Sequence, residues 1–301
     1  MSEYEVSSII LSPQNNISTT PGVLSYSLPT VFYAEEKQIS LANLSIYFSW
    51  FNITSAFNNN QLSYIFQGVA TNITIPNGFY APADITGYIN FIQYGLGQYF
   101  LDENGNPWYG ISIIENSVYY AETIQISGLP NGSLPTNWTN PNNLTLDGSN
   151  PQLIIPPLNT NNFGYLIGFG NQTTQFEYPA TSTTVGAYPA TNSINSTFTP
   201  EVSPISSLYC VCNLANTGNY NSIPGIISVF SSENVAFGSQ INVIPTFPVW
   251  FKMNDGRIPL ITVSFYSNLG QLLAVNDNNI IVTLNFRTVK NSLSTKSNYT
   301  Y

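Results

Sequence analysis

Residues able to carry out acid–base or nucleophilic chemistry are few in this chain, and one class is missing. The sequence contains no histidine, the side chain whose unperturbed pKa suits proton transfer near neutrality. Histidine-based catalytic triads and histidine-ligated metal centres are therefore excluded. Fifteen carboxylates are spread over 301 residues without a recognisable catalytic motif. A carboxylate-pair glycosidase stays open, because such pairs meet in space and not in sequence; otherwise we expect no enzyme and no catalytic residues.

Two short motifs contain residue types that bind metal ions. The run Asp102 to Asn106 resembles the start of a calcium loop, but Gly105 is misplaced for an EF-hand and no glutamate follows at the required distance. A hairpin turn is the preferred interpretation. Cys210 and Cys212 place two sulfurs on one strand face, where buried reduced cysteines are the usual outcome. We therefore predict neither a metal site nor a cofactor.

Two other features have more ordinary interpretations. The run Gly168 to Asn171 lacks the lysine and the strand-to-helix context of a phosphate-binding loop, so we interpret it as a plain loop. Glu122 lies on an otherwise apolar strand face. Either its carboxylate is partly buried and marks a contact between subunits, or the strand is at an edge and the carboxylate reaches solvent.

Charge is scarce throughout the chain. Charged residues make up 7% of it, against about 25% in an average protein. No basic residue occurs between Lys37 and Lys252, and the net charge is −9. Such a chain cannot neutralise many phosphates, so we expect no direct nucleic-acid binding.

The sequence also bears on the compartment. The acidic start, Met1 to Glu5, lacks the basic region of a secretory signal. No apolar run reaches the length of about 18 residues that a membrane span needs, and two cysteines are too few for a disulfide scaffold. We expect synthesis in a reducing, cytosolic compartment and no membrane span.

Most elements that would position these residues are β-strands. Three segments alternate apolar and polar residues, which is typical of strands that bury one face. The predicted buried faces are Ala42, Leu44, Ile46, Phe48 and Trp50; Leu208, Cys210, Cys212 and Leu214; and Ile280, Val282, Leu284 and Phe286. Weaker strands are predicted at Val6–Leu11, Leu62–Val69, Trp108–Ile114, Val118–Ile126 and Ile258–Tyr266. Because the three strong faces need one shared core, strands from both ends of the chain should pack together.

One segment has helical periodicity instead. Apolar residues in residues 82–96 recur at a spacing of three and four. Pro82 suits the first turn of a helix, Asp84 complements its dipole, and Gly95 and Gly97 can end it. We predict one amphipathic helix here, packed against the sheet.

About eight strands and one helix fit an all-β fold, a single jelly roll with an inserted excursion of strands and loops. We assign residues 1–127 to the first part of this eight-stranded β-sandwich and residues 205–287 to its second part. Residues 128–204, rich in Pro, Asn, Gly and Thr, are assigned to the insertion. Short strands are expected there at Leu153–Ile155 and Phe163–Phe169. Residues 288–301 are polar and are predicted to form a C-terminal arm.

Seven blocks, in order along the chain, resemble the penton proteins of virophages and Polinton-like viruses, of the Mavirus type. They are Gln38–Ser45, Ser49–Ile53, Ile73–Tyr80, Pro151–Pro156, Phe163–Phe169, Val202–Ser207 and Val243–Arg287. None of these blocks is a catalytic signature.

The resemblance implies a structural capsid protein, the pentameric vertex capsomer of an icosahedral double-stranded DNA virus or virophage. Its partners would be copies of itself, the double-jelly-roll major capsid protein and minor capsid proteins. It would be made in the host cytoplasm and reside at the capsid vertices of the virion. The alternative function is a carbohydrate-binding attachment module such as a fibre tip, because exposed aromatic rings stack on sugars.

Overall fold

The chain forms two compact units in a computed structural model that describes residues 6–157, 160–170, 176–178, 191–202, 205–217 and 223–289. Unit 1 combines the two ends of the chain, residues 1–50 and 205–301. Unit 2 is the stretch between them, residues 51–204.

The strands of unit 1, in the chain-order numbering used for the whole protein, are β1 (Val6–Leu11), β2 (Val23–Tyr33), β3 (Lys37–Tyr47), β13 (Leu208–Cys212), β14 (Ile226–Phe230), β15 (Gln240–Val243), β16 (Phe251–Lys252), β17 (Arg257–Ser267) and β18 (Ile281–Thr288). Those of unit 2 are β4 (Gln61–Phe66), β5 (Val69–Thr74), β6 (Phe100–Leu101), β7 (Pro107–Trp108), β8 (Ile111–Asn116), β9 (Ala121–Ser127), β10 (Gln152–Ile155), β11 (Phe176–Tyr178) and β12 (Thr191–Asn195). Unit 2 also contains helices α1 (Pro82–Gly95) and α2 (Phe163–Leu166), and a 3-10 turn covers Pro13–Asn15 in unit 1.

The strand order of unit 1 is that of a jelly roll. One sheet runs β1-β18-β3-β15, with β16 added to β3, and the other runs β14-β13-β17-β2. Counting the eight main strands along the chain, the first pairs with the eighth, the second with the seventh, the third with the sixth and the fourth with the fifth. These nested antiparallel pairs are what two interlocked Greek keys produce. The predicted all-β jelly roll is confirmed.

The apolar faces of both sheets supply the core of unit 1. Val282, Leu284 and Phe286 on β18 are buried, and so are Val263 and Phe265 on β17. The rings of Phe32 on β2 and Phe286 on β18 lie 5.5 Å apart, so the two sheets meet directly. The three strong alternating segments therefore share one core, as predicted.

One detail of the predicted β3 face is wrong. Asn43 pairs with Thr283, but the next partner of β18, Leu284, faces Leu41, so Ala42 is an extra residue in a β-bulge. The extra residue shifts the alternation by one position. The core-facing residues before the bulge are therefore not in the same alternating series as those after it. The buried residues of β3 are Ile39, Ser40, Leu41, Leu44, Ser45 and Ile46.

Unit 2 has its own sheets and its own core. The sheets run β11-β10-β4-β5, β12-β9-β8 and β6-β7. Its fully buried side chains include Ile53, Tyr64, Ile89, Phe100, Ile113, Ile124, Leu153 and Phe163. These residues run from Ile53 to Phe163, so segments far apart in the sequence pack into one core.

Helix α1 lies at the position predicted from its periodicity. Pro82 occupies its first turn and the Asp84 carboxylate accepts a 2.8 Å hydrogen bond from the Ala81 backbone N–H. The Thr86 hydroxyl donates to the carbonyl of Ile113 and accepts from its backbone N–H, at 2.8 and 2.7 Å. Since β8 is the edge strand of its sheet, α1 satisfies backbone groups that would otherwise be open.

Two segments expected to be single strands differ from the structure. The single strand expected at Leu62–Val69 is a hairpin, because Gln67 and Gly68 adopt positive φ values of 48° and 75° and reverse the chain. The strand expected at Phe163–Phe169 is the short helix α2, whose buried residues Phe163 and Leu166 have helical spacing.

The domain division also differs. Residues 51–127, assigned from the sequence to the jelly roll, pack in unit 2. The strands β4, β5, β8 and β9 bury their apolar faces in the unit 2 core together with those from residues 128–204. Both divisions place the end of the insertion at Pro204. The predicted arm lies outside the described residues, apart from Thr288 and Val289.

Candidate functional surfaces

The Asp102 segment is the turn that connects β6 and β7. The Asp102 carboxylate accepts hydrogen bonds from the backbone N–H groups of Asn104 and Asn106, at 2.9 and 2.8 Å. These bonds, that from Asn106 first, hold the pKa of Asp102 below its usual value. Backbone N–H groups of the turn itself therefore stabilise the negative charge of the Asp102 carboxylate. The predicted hairpin turn is confirmed.

Both cysteines are free and fully buried in β13. Cys210 pairs with Phe265 and Cys212 with Val263, so both sulfurs lie in the apolar core of unit 1. Burial raises the pKa of each thiol far above neutrality. The thiols therefore stay protonated and serve as small apolar side chains, as predicted.

Gly168 belongs to a turn held by the backbone. Its N–H donates to the Tyr165 carbonyl, and its carbonyl accepts from Phe198 N–H at 3.1 Å. A Cβ at this position, where φ is +75°, would come within 2.4 Å of the Phe198 carbonyl oxygen. Both the positive φ and the lack of space for a side chain require glycine at this position. This agrees with the interpretation of residues 168–171 as a loop.

Glu122 is a buried carboxylate in the middle of a sheet. It lies on β9, between β12 and β8, and its side chain is only 2% exposed. The interpretation that placed it at an edge with the carboxylate in solvent is wrong. Glu115 on β8 stands directly opposite, and the Oε2 atom of Glu122 is buried without a hydrogen-bond partner.

This environment favours the neutral acid. Burial first, and the charge of Glu115 second, raise the pKa of Glu122 to about 7. Glu115 was missed in the sequence, although a signal existed. The two glutamates are equally far from the centre of the β8–β9 hairpin, and residues at equal distances from a tight turn face each other.

Charge is divided unevenly between the units. Residues 51–204 contain eight carboxylates and no lysine or arginine, so unit 2 carries nearly all of the net charge of −9. All six basic residues belong to unit 1. A ligand that needs cationic partners has none in unit 2.

The described basic residues of unit 1 lie near one another. Lys252 and Arg287 both pair across the sheet with Gln38, the neighbour of Lys37. A groove of about 480 Å³ is lined there by Glu35, Glu36, Lys37, Gln38, Lys252, Asp255 and Val289. Arg287 stacks on the Trp250 ring at 4.3 Å and donates to the Gln38 side chain at 2.7 Å. The groove contains both acidic and basic side chains, so it is charged but is neither strongly positive nor strongly negative.

Large apolar side chains are exposed on unit 1. In the segment that leads from β15 to β16, Ile244, Phe247 and Val249 are all more than half exposed. Val6 and Ile10 are exposed on the edge strand β1. Exposed apolar side chains that lie together in one patch favour protein association, whereas single ones are ordinary.

Apart from Tyr165 and Phe198, the exposed aromatic residues in the described part of unit 2 lie in two places. Val118, Tyr119 and Tyr120 form the tip of the β8–β9 hairpin, and each is at least 70% exposed. The other place is the C-terminal half of α1, where Phe91 and Tyr94 are exposed. The amino-acid composition indicates exposed aromatic residues in general, but it does not predict these positions.

Within the described part of the chain, no three Cys, Asp or Glu side chains come together as metal ligands. Over the same residues, no helix has the length and apolar character needed to cross a membrane.

Comparison with known proteins gives matches in structure. No protein-family model and no curated protein sequence matches the chain. The structure is similar to the crystal structure of the mavirus penton protein, with a TM-score of 0.48 and 9% identity, over 94% of this chain and 98% of that one. It is also similar to a chain in the cryo-EM structure of the Sputnik virophage, with a TM-score of 0.39 and 14% identity, over 96% and 98%.

Proposed function

We propose that this chain is a structural capsid protein that forms a pentameric vertex capsomer. The observation that carries the proposal is the nested pairing of the eight main strands, which makes unit 1 a jelly roll interrupted by a second folded unit. Jelly rolls occur in viral capsids and in lectins. The sequence blocks that resemble virophage pentons, spread along the chain, favour the capsid.

The surface of unit 1 supports association over a role as an isolated domain. Apolar surface is exposed to water at Ile244, Phe247 and Val249. Burying this surface against another copy would stabilise the assembly. A ring of five copies needs a contact in which one face meets a different face of the next copy and the rotation closes. Walls with few charges suit such a contact, because an unpaired charge is costly to bury between subunits.

The wider assignment follows from the same resemblance. The capsomer would contact the double-jelly-roll major capsid protein around it and reside in the virion at the fivefold vertices. The chain would act without catalysis and without a cofactor.

We expect the purified chain to form pentamers whose stability depends weakly on salt. Few ion pairs are available for salt to screen, since only 7% of the residues are charged and unit 2 contains no lysine or arginine. Sedimentation velocity from about 0.05 to 1 M sodium chloride, a range over which the Debye length falls severalfold, measures this directly.

Asp255→Asn provides the matched control for that experiment. It removes the exposed Lys252–Asp255 ion pair of 3.3 Å without touching an apolar side chain. The variant should sediment like the parent at every salt concentration. Pentamers that dissociate sharply as salt rises would contradict the proposal, and a monomer or trimer would favour the attachment module.

Deleting residues 291–301 should leave the jelly roll folded but weaken incorporation into particles. The last described contact before this arm is the 2.7 Å hydrogen bond from Val289 N–H to the Glu36 carbonyl, which the deletion keeps. The melting temperature and the yield of co-assembly with the major capsid protein would be measured. Lys296→Gln removes the one charged side chain of the deleted segment and keeps its length. A truncated chain that incorporates normally would show that this segment has no such role.

A further inference from the structure

We propose that a row of three tyrosines in unit 2, Tyr94, Tyr99 and Tyr109, is a binding site for a neutral carbohydrate. This goes beyond the role as a capsomer, since a vertex protein that binds sugar would also attach the particle to a glycan-bearing surface.

The three rings pack on one another in a row, and each of the first two covers one face of the other. The Tyr94 and Tyr99 rings are nearly parallel, with centroids 4.8 Å apart and an angle of 16°. The Tyr109 ring follows at 6.3 Å from Tyr99 and is tilted by 48°. Tyr94 is 54% exposed, while the other two are half-buried. Because Tyr99 covers one face of the Tyr94 ring, a ligand would stack on the other face of Tyr94, the most exposed of the three rings.

The row is held rigidly by its surroundings. Tyr94 is in the last turn of α1, and the chain leaving the helix is fixed by the hydrogen bond from Gln98 N–H to the Gln93 carbonyl at 2.8 Å. Gln98 also accepts from the hydroxyl of Tyr64, which is fully buried. Tyr99 precedes Phe100, another fully buried residue. Rings fixed in this way lose little conformational entropy when a ligand binds.

Gly97 brings polar groups close to the rings. It adopts a φ of +70°, and a Cβ there would lie 3.1 Å from the Asn142 side chain. The Asn142 amide therefore lies next to the loop that joins Tyr94 to Tyr99. Binding sites for small ligands combine apolar ring surface with a few placed polar groups. A pyranose ring presents an apolar C–H face and hydroxyl groups at its edge, which match tyrosine faces and neighbouring amides.

The charge of unit 2 selects among carbohydrates. Because residues 51–204 contain eight carboxylates and no lysine or arginine, sialylated or sulfated sugars would find no cationic partner there. Burial keeps the pKa of Tyr109 above its usual value, so its phenol stays a neutral hydrogen-bonding group. The expected ligand is an oligosaccharide of neutral hexoses or N-acetylhexosamines.

The test uses the full chain on an array of neutral oligosaccharides with their sialylated and sulfated counterparts, followed by calorimetric titration of a neutral sugar that binds. We expect binding to neutral sugars only. Tyr94→Ala should weaken the affinity about tenfold, as expected for losing one stacking ring, and Tyr94→Phe should largely restore it. Phe91→Ala is the matched control, because Phe91 is an exposed aromatic of the same helix that contacts Tyr88 and not this row.

Several outcomes would overturn the proposal. They are no binding to any neutral sugar, equal binding by the parent and Tyr94→Ala, or a preference for the sialylated or sulfated members. If Phe91→Ala and Tyr94→Ala both impair pentamer formation and no sugar binds, the surface is a protein contact instead. Pentamer formation is measured separately by sedimentation, so a failure of the capsomer proposal and a failure of sugar binding are distinguishable.

Discussion

The Leu284→Asp variant should be insoluble or unfolded when the parent chain is produced in soluble form. Leu284 is fully buried on β18, between Val282 and Phe286. It pairs with Ile9 on β1 and with Leu41 on β3, the two strands that flank β18 in its sheet.

The expected loss is large for two reasons. Removing a buried leucine side chain alone costs about 2–5 kcal/mol. A carboxylate in its place has no cationic partner, so it either stays charged at a cost of several kcal/mol or binds a proton. The sum is comparable with the whole stability of a typical domain, about 5–15 kcal/mol.

Thr283→Asp is the matched control. Thr283 is the preceding residue of the same strand, points to the opposite face and is only half-buried. Solubility and far-ultraviolet circular dichroism of both variants would be compared. A soluble, folded Leu284→Asp chain would show that β18 does not lie at the centre of the jelly-roll core.

Glu122→Gln should raise the melting temperature of the protein at pH 8 by several degrees and have little effect at pH 4. The amide keeps the size of the side chain and cannot ionise. The parent must either ionise a buried carboxylate beside Glu115 or hold a proton above its normal pKa.

The sign follows from proton binding. With the pKa of Glu122 near 7 in the folded protein and near 4.5 when unfolded, the folded state holds the extra proton between these values. Stability should therefore fall as the pH rises from about 4.5 to 7, and the loss is complete above pH 7. The difference corresponds to about 3 kcal/mol.

Melting curves from pH 4 to 8 for the parent, Glu122→Gln and Glu115→Gln would measure this effect. Glu115→Gln removes only the neighbouring charge, the smaller cause, so its gain at pH 8 should be smaller. If the melting temperature of Glu122→Gln follows the parent at every pH, Glu122 is solvated in the folded protein.

Strand β18 was predictable because one of its faces is more open to water and the other lies in the core, so the alternation of the sequence gives its buried residues directly. At β13 the alternation identifies Cys210 and Cys212 on the core face, but the residues of the other face, Tyr209 and Val211, are buried as well. Helix α1 was predictable for the corresponding reason, since its apolar residues recur with helical spacing and Pro82 marks its start.

Features that depend on a partner strand were not predictable. The bulge at Ala42 follows from pairing with β18, more than two hundred residues later in the chain. The sequence did not show that unit 2 begins at Phe51. Apolar and polar residues alternate in β4 and β8 as they do in jelly-roll strands. Alternation identifies a strand with one buried face but not the core in which that face is buried.

The candidate surfaces were accessible from the sequence only as residue types. Glu122 stood out as a carboxylate on an apolar face, but its partner Glu115 became clear only from the hairpin register. The tyrosine row joins a helix end to two later segments, and no periodicity connects Tyr94 with Tyr109.

The most direct test of the central claim is a cryo-EM map of particles that contain this chain. We expect density at each fivefold vertex into which five copies fit, each with the jelly roll of residues 1–50 and 205–301 built into the shell. Density for the chain in a fibre outside the shell, or at threefold positions, with another protein filling the vertices, would contradict it.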